Sequence, residues 1–545
     1  VADSHKTWSE LASSSLLLKA VGNWRDDPEA WLEGSFNRLP ETVRVNPLRA
    51  DSEWVEKWLS DLGSLRVPWF SGPGSAWEMP FERGSADGEI REVLKALHET
   101  GRLTRQEIVS MIPVLAMELS PGEIVLDMCA SPGSKTTQIA ECLGESGVVF
   151  ANEISNSRAN TLVSNVQRHA SRSVIVINHD GRHLPIIPKD GFHKILVDAP
   201  CTGSATTRKN PEIWGKWTPQ GGRSLHNLQI SLLRKAVRLV RPGGRIVYST
   251  CSLDPVENEA VVAEILRTEN NLKLIPASEI LSDLPGREGF SSWEIMGDDA
   301  EPSEEFTLES SMKSPEDHTI SRSLKNCMRI WNDDIGGGGF FISIMERLES
   351  ESIESSEPEF YKSPEDVKED IPSSPQPIGK DLMDRITDRW GEVPEDLWVR
   401  GKKVLWANPE AKEIWSSERT IKNGRTSIPG GRWRPLKVIH LGRDVAKIRK
   451  GELDRVVGKA CVELSSFLTK GITVVEEDVI DSILQSQFLD KDEIDLPEQI
   501  RGGHIIASKS DSIPIWVGGK VTLMLNQSEI LIKLRQRGLE REDYD

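Results

Sequence analysis

The chain has 545 residues, of which 37% are hydrophobic and 28% charged, and a formal net charge of −18. That length exceeds one ordinary domain and implies about two to four, while the composition excludes a disordered or fibrous chain and no apolar run is long enough to span a bilayer. The acidic balance argues against indiscriminate binding to a polyanion, because such affinity rests on Lys and Arg neutralising phosphates. Basic residues nevertheless gather locally at 400–403, 432–437 and 443–450, and local field rather than total charge guides a polyanion.

The opening VADSHKTWSE lacks the basic start, apolar stretch and cleavage site of a secretory leader, so an intracellular protein is expected, cytoplasmic or, in a eukaryote, nuclear. Six cysteines, at 129, 142, 201, 251, 327 and 461, form no CxxC pair and predict free thiols in a reducing compartment, with no bound metal.

Residues 1–100 carry Trp8, Trp24, Trp31, Trp54 and Trp58 between amphipathic stretches and read as mixed helix and strand, with an extended piece at 39–47. From 101 to 348 short apolar runs (124–128, 148–152, 174–178, 194–197, 245–248, 340–345) alternate with helical stretches. Such alternation predicts an α/β unit with a largely parallel sheet, ligands binding at the carboxyl ends of its strands. Residues 349–380 are rich in Glu, Ser and Pro and cannot bury enough apolar surface to fold alone, which predicts a linker. Residues 381–545 return to globular composition, and HIIAS, IPIWVGG and KVTLML near the end predict a β-rich domain with helices before it.

The first run of the α/β unit leads into DMCASPGSKTTQ, a strand, a tight turn on Pro132 and Gly133, and a helix start. The turn, from Cys129 through Ala130, Ser131, Pro132, Gly133 and Ser134 to Lys135, would bring backbone N–H groups and a helix N-terminus to a ligand. It has neither GxGxxG nor the Walker pattern. The next three runs end at Glu153, placed to accept two ribose hydroxyls, at Asp180, placed to meet an adenine amino group, and at Asp198. Acids at three successive strand ends beside such a turn point to S-adenosylmethionine.

Cys201 follows Asp198 in DAPCTGS, and Cys251 closes the fifth run in YSTCS. A lone cysteine is usually a small buried hydrophobe, but two at neighbouring strand ends can share one rim. Their chemistry suits methylation at carbon 5 of cytosine, a poor nucleophile that becomes reactive when a thiolate adds to C6. One thiol is expected to attack, and a second group to remove the C5 proton so that the first can leave. Asp198 can bond the ring at N3, and Lys135 can stabilise the developing charge. The stretch after Cys251 predicts a helix capped by Asp254 with Pro255 in its first position, and no catalytic role for its acids.

At GRLTRQEIVSMIP (101–113), DMCASPGSKTTQ, DAPCTGSATTRKNPEIW (198–214), GGRIVYSTCSLDPVENEAVV (243–262) and the late NCMRI and GGFFISIM segments, the sequence resembles the Sun-type RNA (cytosine-5) methyltransferases, tRNA-modifying branch. The resemblance covers about residues 100–347 and implies a class I, Rossmann-like methyltransferase core at 101–348, with the 1–100 segment an RNA-binding extension. It also implies Cys251 as the nucleophile, Cys201 as the group that assists product release, and cofactor contacts on the turn from Cys129 to Lys135 and on Glu153, Asp180 and Asp198. Glu153 departs from the family, where many members have Asp. Arg208, Lys209 and Asn210 look placed to meet RNA, and 381–545 loosely resembles a PUA-type RNA-binding module, a protein-contact domain being the alternative. The partner expected is tRNA, bound by a monomer that takes an unpaired or flipped cytosine. The rival readings are an rRNA cytosine-5 methyltransferase and an inactive RNA-binding assembly factor.

Overall fold

In the computed structural model, residues 8–188, 190–303, 309–349, 374–417, 419–421, 426–428, 433 and 435–541 are described. The apolar runs of the α/β unit become β1 (Ile124–Asp127), β2 (Val148–Asn152), β3 (Val174–Ile177), β4 (Phe192–Asp198) and β5 (Val240–Thr250). β1 pairs in parallel with β2 and β4, β2 with β3, and β4 with β5, so the chain reverses its order of strand addition at β1. A crevice for a ligand opens at such a switch point. Leu126, Phe150, Ile175, Ile195 and Ile246 are fully buried, as the continuous apolar runs of a sheet covered on both faces require; each contributes about 1.5–3 kcal/mol by burial.

Beyond β5 the sheet turns antiparallel. β6 (Leu272–Ile275), β7 (Arg287–Glu288), β8 (Met328–Ile330) and β9 (Phe340–Arg347) follow, with β9 beside β5, β8 beyond it, β7 at the edge and β6 also paired to β9. β5 extends beyond its apolar run at both ends, and within it Arg245 lies opposite Glu346, with Nη2 to Oε1 at 2.8 Å. Four helices matter for the site: α1 (Ser134–Leu143), α2 (Asn156–His169), α3 (Pro219–Leu239) and α4 (Glu259–Thr268). α3 follows Thr218 and holds Pro219 at its start, where a missing N–H costs nothing.

The helix expected from Asp254 begins five residues later, at Glu259. Asp254 and Glu257 turn their carboxylates inward, and Asn258 bonds Thr250 Oγ1 and the Ser252 carbonyl, so the backbone is held in turns until Glu259.

Before the α/β unit, Leu65–Arg66, Ser75–Glu82, Pro40–Val45 and Leu103–Arg105 make a four-stranded antiparallel sheet in that order. It is fixed to α1 by Arg44, which is fully buried: Nε donates to Glu141 Oε2 at 2.5 Å and Nη2 to Thr137 Oγ1 at 3.0 Å. After the α/β unit, two five-stranded sheets occupy the C-terminal region, the second holding Gly502–Ala507, Ser512–Val517 and Val521–Leu523. The expected linker falls largely on residues 350–373, outside the described residues. One strand of the C-terminal region, Val438–Leu441 (β10), is not in those sheets but pairs antiparallel with β3 and extends the central sheet. Its neighbour Lys437 bonds Asn178 Oδ1 through Nζ at 2.5 Å and His179 Nε2 through its backbone N–H at 2.8 Å, directly before Asp180. No described helix is long and apolar enough to cross a membrane.

Candidate active site

The strand ends bring the two cysteines to one rim. Cys201 lies three residues past β4 and Cys251 one past β5, both half-buried, and their sulfurs are 3.2 Å apart. Burial, a hydrogen bond to Cys251 and that neighbour's charge push the Cys201 thiol well above its ordinary range, the bond to Cys251 being the largest influence.

Below them lies a second pair. Lys135 Nζ donates to Asp198 Oδ2 and to Ser110 Oγ, each at 2.8 Å, over the ring of Phe340, while Ser249 Oγ donates to Asp198 Oδ1 at 2.9 Å. Burial opposes the ammonium, but Asp198 outweighs it and holds the Lys135 pKa above its usual value. Lys135 is therefore a cation paired inside the site rather than a solvated first-turn residue.

The turn from Cys129 to Ser134 curls between β1 and α1. Gly133 sits at φ +112°, a backbone angle that favours glycine, and a Cβ there would come within 2.8 Å of Leu162 Cδ1. Ala130 N–H donates to the Asn152 carbonyl, and Asn152 Nδ2 donates to the Met128 and His179 carbonyls, which locks the ends of β1, β2 and β3 together. α1 starts on Gly133 with no side-chain cap, leaving its first N–H groups to face an anion. Glu153 is buried, taking Ser155 N–H on Oε1 at 2.8 Å, with Arg158 3.4 Å from Oε2. Asp180 accepts both the backbone N–H and the guanidinium of Arg182, which hold its carboxyl below the usual range. An uncapped helix start for a carboxylate and anionic acceptors at the next strand ends for hydroxyls and an amine fit S-adenosylmethionine, which Glu153, Asp180 and the 129–135 turn would hold. Among the described residues no cluster of His, Cys, Asp and Glu could hold a metal ion.

Three residues expected to face RNA are placed differently from one another. Arg208 spends its guanidinium on four backbone carbonyls, those of Asn37, Arg38, Gly336 and Gly337, clamping the N-terminal segment to the loop before β9. Asn210 Nδ2 donates to Thr206 Oγ1 at 3.1 Å. Lys209 is exposed, 3.9 Å from Glu107.

A sequence profile described as 16S rRNA methyltransferase RsmB/F matches residues 114–289. The multisite-specific tRNA:(cytosine-C(5))-methyltransferase of Saccharomyces cerevisiae is 35% identical over 397 residues, 65% of this chain and 58% of that protein. The tRNA (cytosine(49)-C(5))-methyltransferase of Pyrococcus abyssi is 32% identical over 243 residues, 44% of this chain and 75% of that protein. The chain belongs to the Sun-type RNA (cytosine-5) methyltransferase family. It spans about half the length of the first curated relatives it matches, 58%, 46% and 46%. A solved methyltransferase homologue from Pyrococcus horikoshii aligns with a TM-score of 0.45 at 29% identity, covering 61% of this chain and 93% of that one.

In this Sun-type chain, one residue that sequence reasoning set aside joins the two cysteine loops. Glu257, fully buried, accepts Thr202 N–H at 2.9 Å, Thr202 Oγ1 at 2.5 Å, Ser252 Oγ at 2.5 Å and Gln229 Nε2 at 3.1 Å. Thr202 follows Cys201, and Ser252 follows Cys251. Burial raises the Glu257 pKa against those hydrogen bonds. The signal that could have found it was the run of Asp254, Glu257 and Glu259 directly after a candidate nucleophile: three acids in six residues beside a thiol need a reason beyond a helix cap.

Proposed function

We propose that this protein transfers a methyl group to carbon 5 of cytosine in tRNA, acting as a single chain. The observation that carries the reading is the pair of sulfurs 3.2 Å apart at the rim where the Lys135–Asp198 pair and the cofactor turn converge. The tRNA-cytosine enzymes among its relatives support the choice of RNA.

Cys251 Sγ adds to C6 of the cytosine, forming an S–C6 bond and pushing electron density to C5. Bound S-adenosylmethionine supplies a methyl group on a positively charged sulfur. Asp198, held by Ser249 and Lys135, bonds the ring edge at N3, and the Lys135 ammonium stabilises the negative charge that the addition creates. Cys201 then takes the C5 proton, and the electrons of that C–H bond return to the ring as the S–C6 bond breaks.

The contact between the two sulfurs supports an order for these events. While Cys251 is a thiolate, Cys201 donates its S–H to it and stays protonated. Once Cys251 is bonded to carbon, that acceptor and its charge are gone, which lowers the Cys201 pKa and leaves burial and Glu257 as the influences that raise it.

Incubation with labelled S-adenosylmethionine and an unmodified tRNA transcript, followed by bisulfite sequencing, tests the function. Label in 5-methylcytosine of tRNA is expected. The rRNA reading, favoured by the profile's description, is upheld instead if label enters 16S-type rRNA and not tRNA. Absence of label in both RNAs defeats the enzyme reading and leaves the assembly factor.

A further inference from the structure

Between the N-terminal sheet and the outer side of the cofactor turn runs a cleft of about 380 Å³. We propose that this cleft carries the sugar-phosphate backbone of a single-stranded RNA segment into the catalytic rim, with Arg83 and Arg168 as its phosphate contacts. The proposal rests on the reading of the protein as an RNA methyltransferase.

Charge is the first argument. Four cations, Arg83, Arg105, Arg168 and Lys209, line the cleft against a single carboxylate, Glu107, in a chain whose net charge is −18. Arg105 is matched by Glu41, which takes Nε at 2.9 Å, and Lys209 stands 3.9 Å from Glu107. Arg83 and Arg168 have no carboxylate within ion-pair distance among the described residues; Arg168 donates to the neutral amide of Asn165, and Glu99 acts on it only from farther away. His98 and His169, also in the lining, are held neutral by burial and do not alter this balance. An excess of positive charge confined to one concave surface concentrates a polyanion there even when the whole protein repels it.

Direction is the second. The lining includes Pro132, Gly133 and Ser134 of the turn and also Ser110, whose hydroxyl is 2.8 Å from Lys135 Nζ. Lys135 in turn holds Asp198. A strand lying in the cleft thus passes one side chain from the Lys135–Asp198 pair, the group expected to meet the cytosine ring. The volume lies at the lower end of small-ligand sites, enough for one backbone and too small for a helix. Positive grooves of this kind track a single strand by its phosphates and leave base reading to the pocket.

The test is the salt dependence of binding to a short single-stranded oligoribonucleotide and to an unmodified tRNA transcript, measured by fluorescence anisotropy. The Arg83→Gln/Arg168→Gln protein is expected to bind both about tenfold or more weakly at physiological salt. The slope of log K against log salt should become shallower by about 1.4, about 0.7 for each lost contact. Arg83→Lys/Arg168→Lys should restore the slope. Arg83→Gln alone, at an exposed position, should remove half of the effect. Lys447→Gln/Arg455→Gln, in a separate cleft of the C-terminal region, serves as the comparison. An unchanged slope in both Arg83 variants, or a loss of slope in the comparison pair alone, overturns the proposal. If the wild type labels tRNA while the cleft variants keep its slope, the cleft is wrong and the function stands. If the wild type labels nothing, the function falls while the slope still decides the cleft.

Discussion

The sulfurs of Cys201 and Cys251 lie 3.2 Å apart although fifty residues separate them in the chain. Two adjacent parallel strands, β4 and β5, create that proximity: Asp198 pairs with Ser249, so the loops leaving both strands begin at the same height. A planar pyrimidine laid across the pair can be touched by both sulfurs.

The two thiols therefore have separable effects. Cys251→Ala should lower turnover by on the order of 10³ or more, as expected for loss of a nucleophile. Cys201→Ala should attack and then stall, giving a protein–RNA adduct that survives denaturing gels. An adduct in Cys251→Ala and none in Cys201→Ala would reverse the assignment.

Glu257 holds the loops that carry those thiols, one carboxylate bonded to the residues following each of them. It touches no reacting atom and acts as a positioning residue. Glu257→Ala should cut kcat by about 10- to 100-fold, since misplacing a nucleophile by an ångström is costly, with little change in KM for RNA. Glu257→Gln keeps part of the bonding and should recover part of the rate. Because the Glu257 charge also helps raise the Cys201 pKa, the limb of the pH–rate profile that reports Cys201 should move to lower pH in Glu257→Gln. A purely structural residue would leave that limb in place.

How far the sequence reads depends on how local each signal is. The strands of the α/β unit were legible because each is a continuous apolar run closed by a turn, and the acids and thiols stand within three residues of the strand ends. Glu257 was not, because its partners Thr202 and Gln229 are remote in sequence and the local pattern imitates a helix cap. Arg208 looked like an RNA contact because a basic residue in a polar loop has no visible partner; its four acceptors are backbone carbonyls from two distant segments. β10 was equally hidden: nothing local in 438–441 says that it pairs with β3 rather than with its own neighbours.

The buried carboxyl of Asp254 gives stability a sign with pH. Burial and the nearby Glu257 raise its pKa to about 7, while its Oδ1 accepts Val256 N–H at 2.9 Å. In the unfolded chain it ionises near the ordinary value of 3.8. Between these values the folded state binds the extra proton, so this group's contribution to stability falls as pH rises from about 4 to about 7. Asp254→Asn keeps the acceptor and removes the titration. Urea unfolding should show the variant gaining on the wild type across that window, by on the order of a few kcal/mol at its upper end. A difference between the two that is independent of pH would mean that Asp254 is ionised throughout.

Arg44 couples the N-terminal sheet to the cofactor turn without touching a cofactor. Its guanidinium bonds Glu141 and Thr137 on α1 and reaches the Ser134 carbonyl at 3.3 Å, while His169 of α2 holds the other side of Glu141 at 2.9 Å. Burial pushes the Glu141 carboxyl up, but Arg44 and His169 outweigh it and lower its pKa. Arg44→Met leaves that carboxylate buried and short of a cation, a loss of about 3–5 kcal/mol. Replacing both partners, Arg44→Met/Glu141→Met, removes the charge along with its partner and should recover most of that loss. Because Ser134 and Thr137 lie in the first turn of α1, Arg44→Met should also weaken S-adenosylmethionine binding, measured calorimetrically at a temperature where the variant is folded. Wild-type affinity in a variant that has lost the stability would show that the buried pair supports the fold and not the turn.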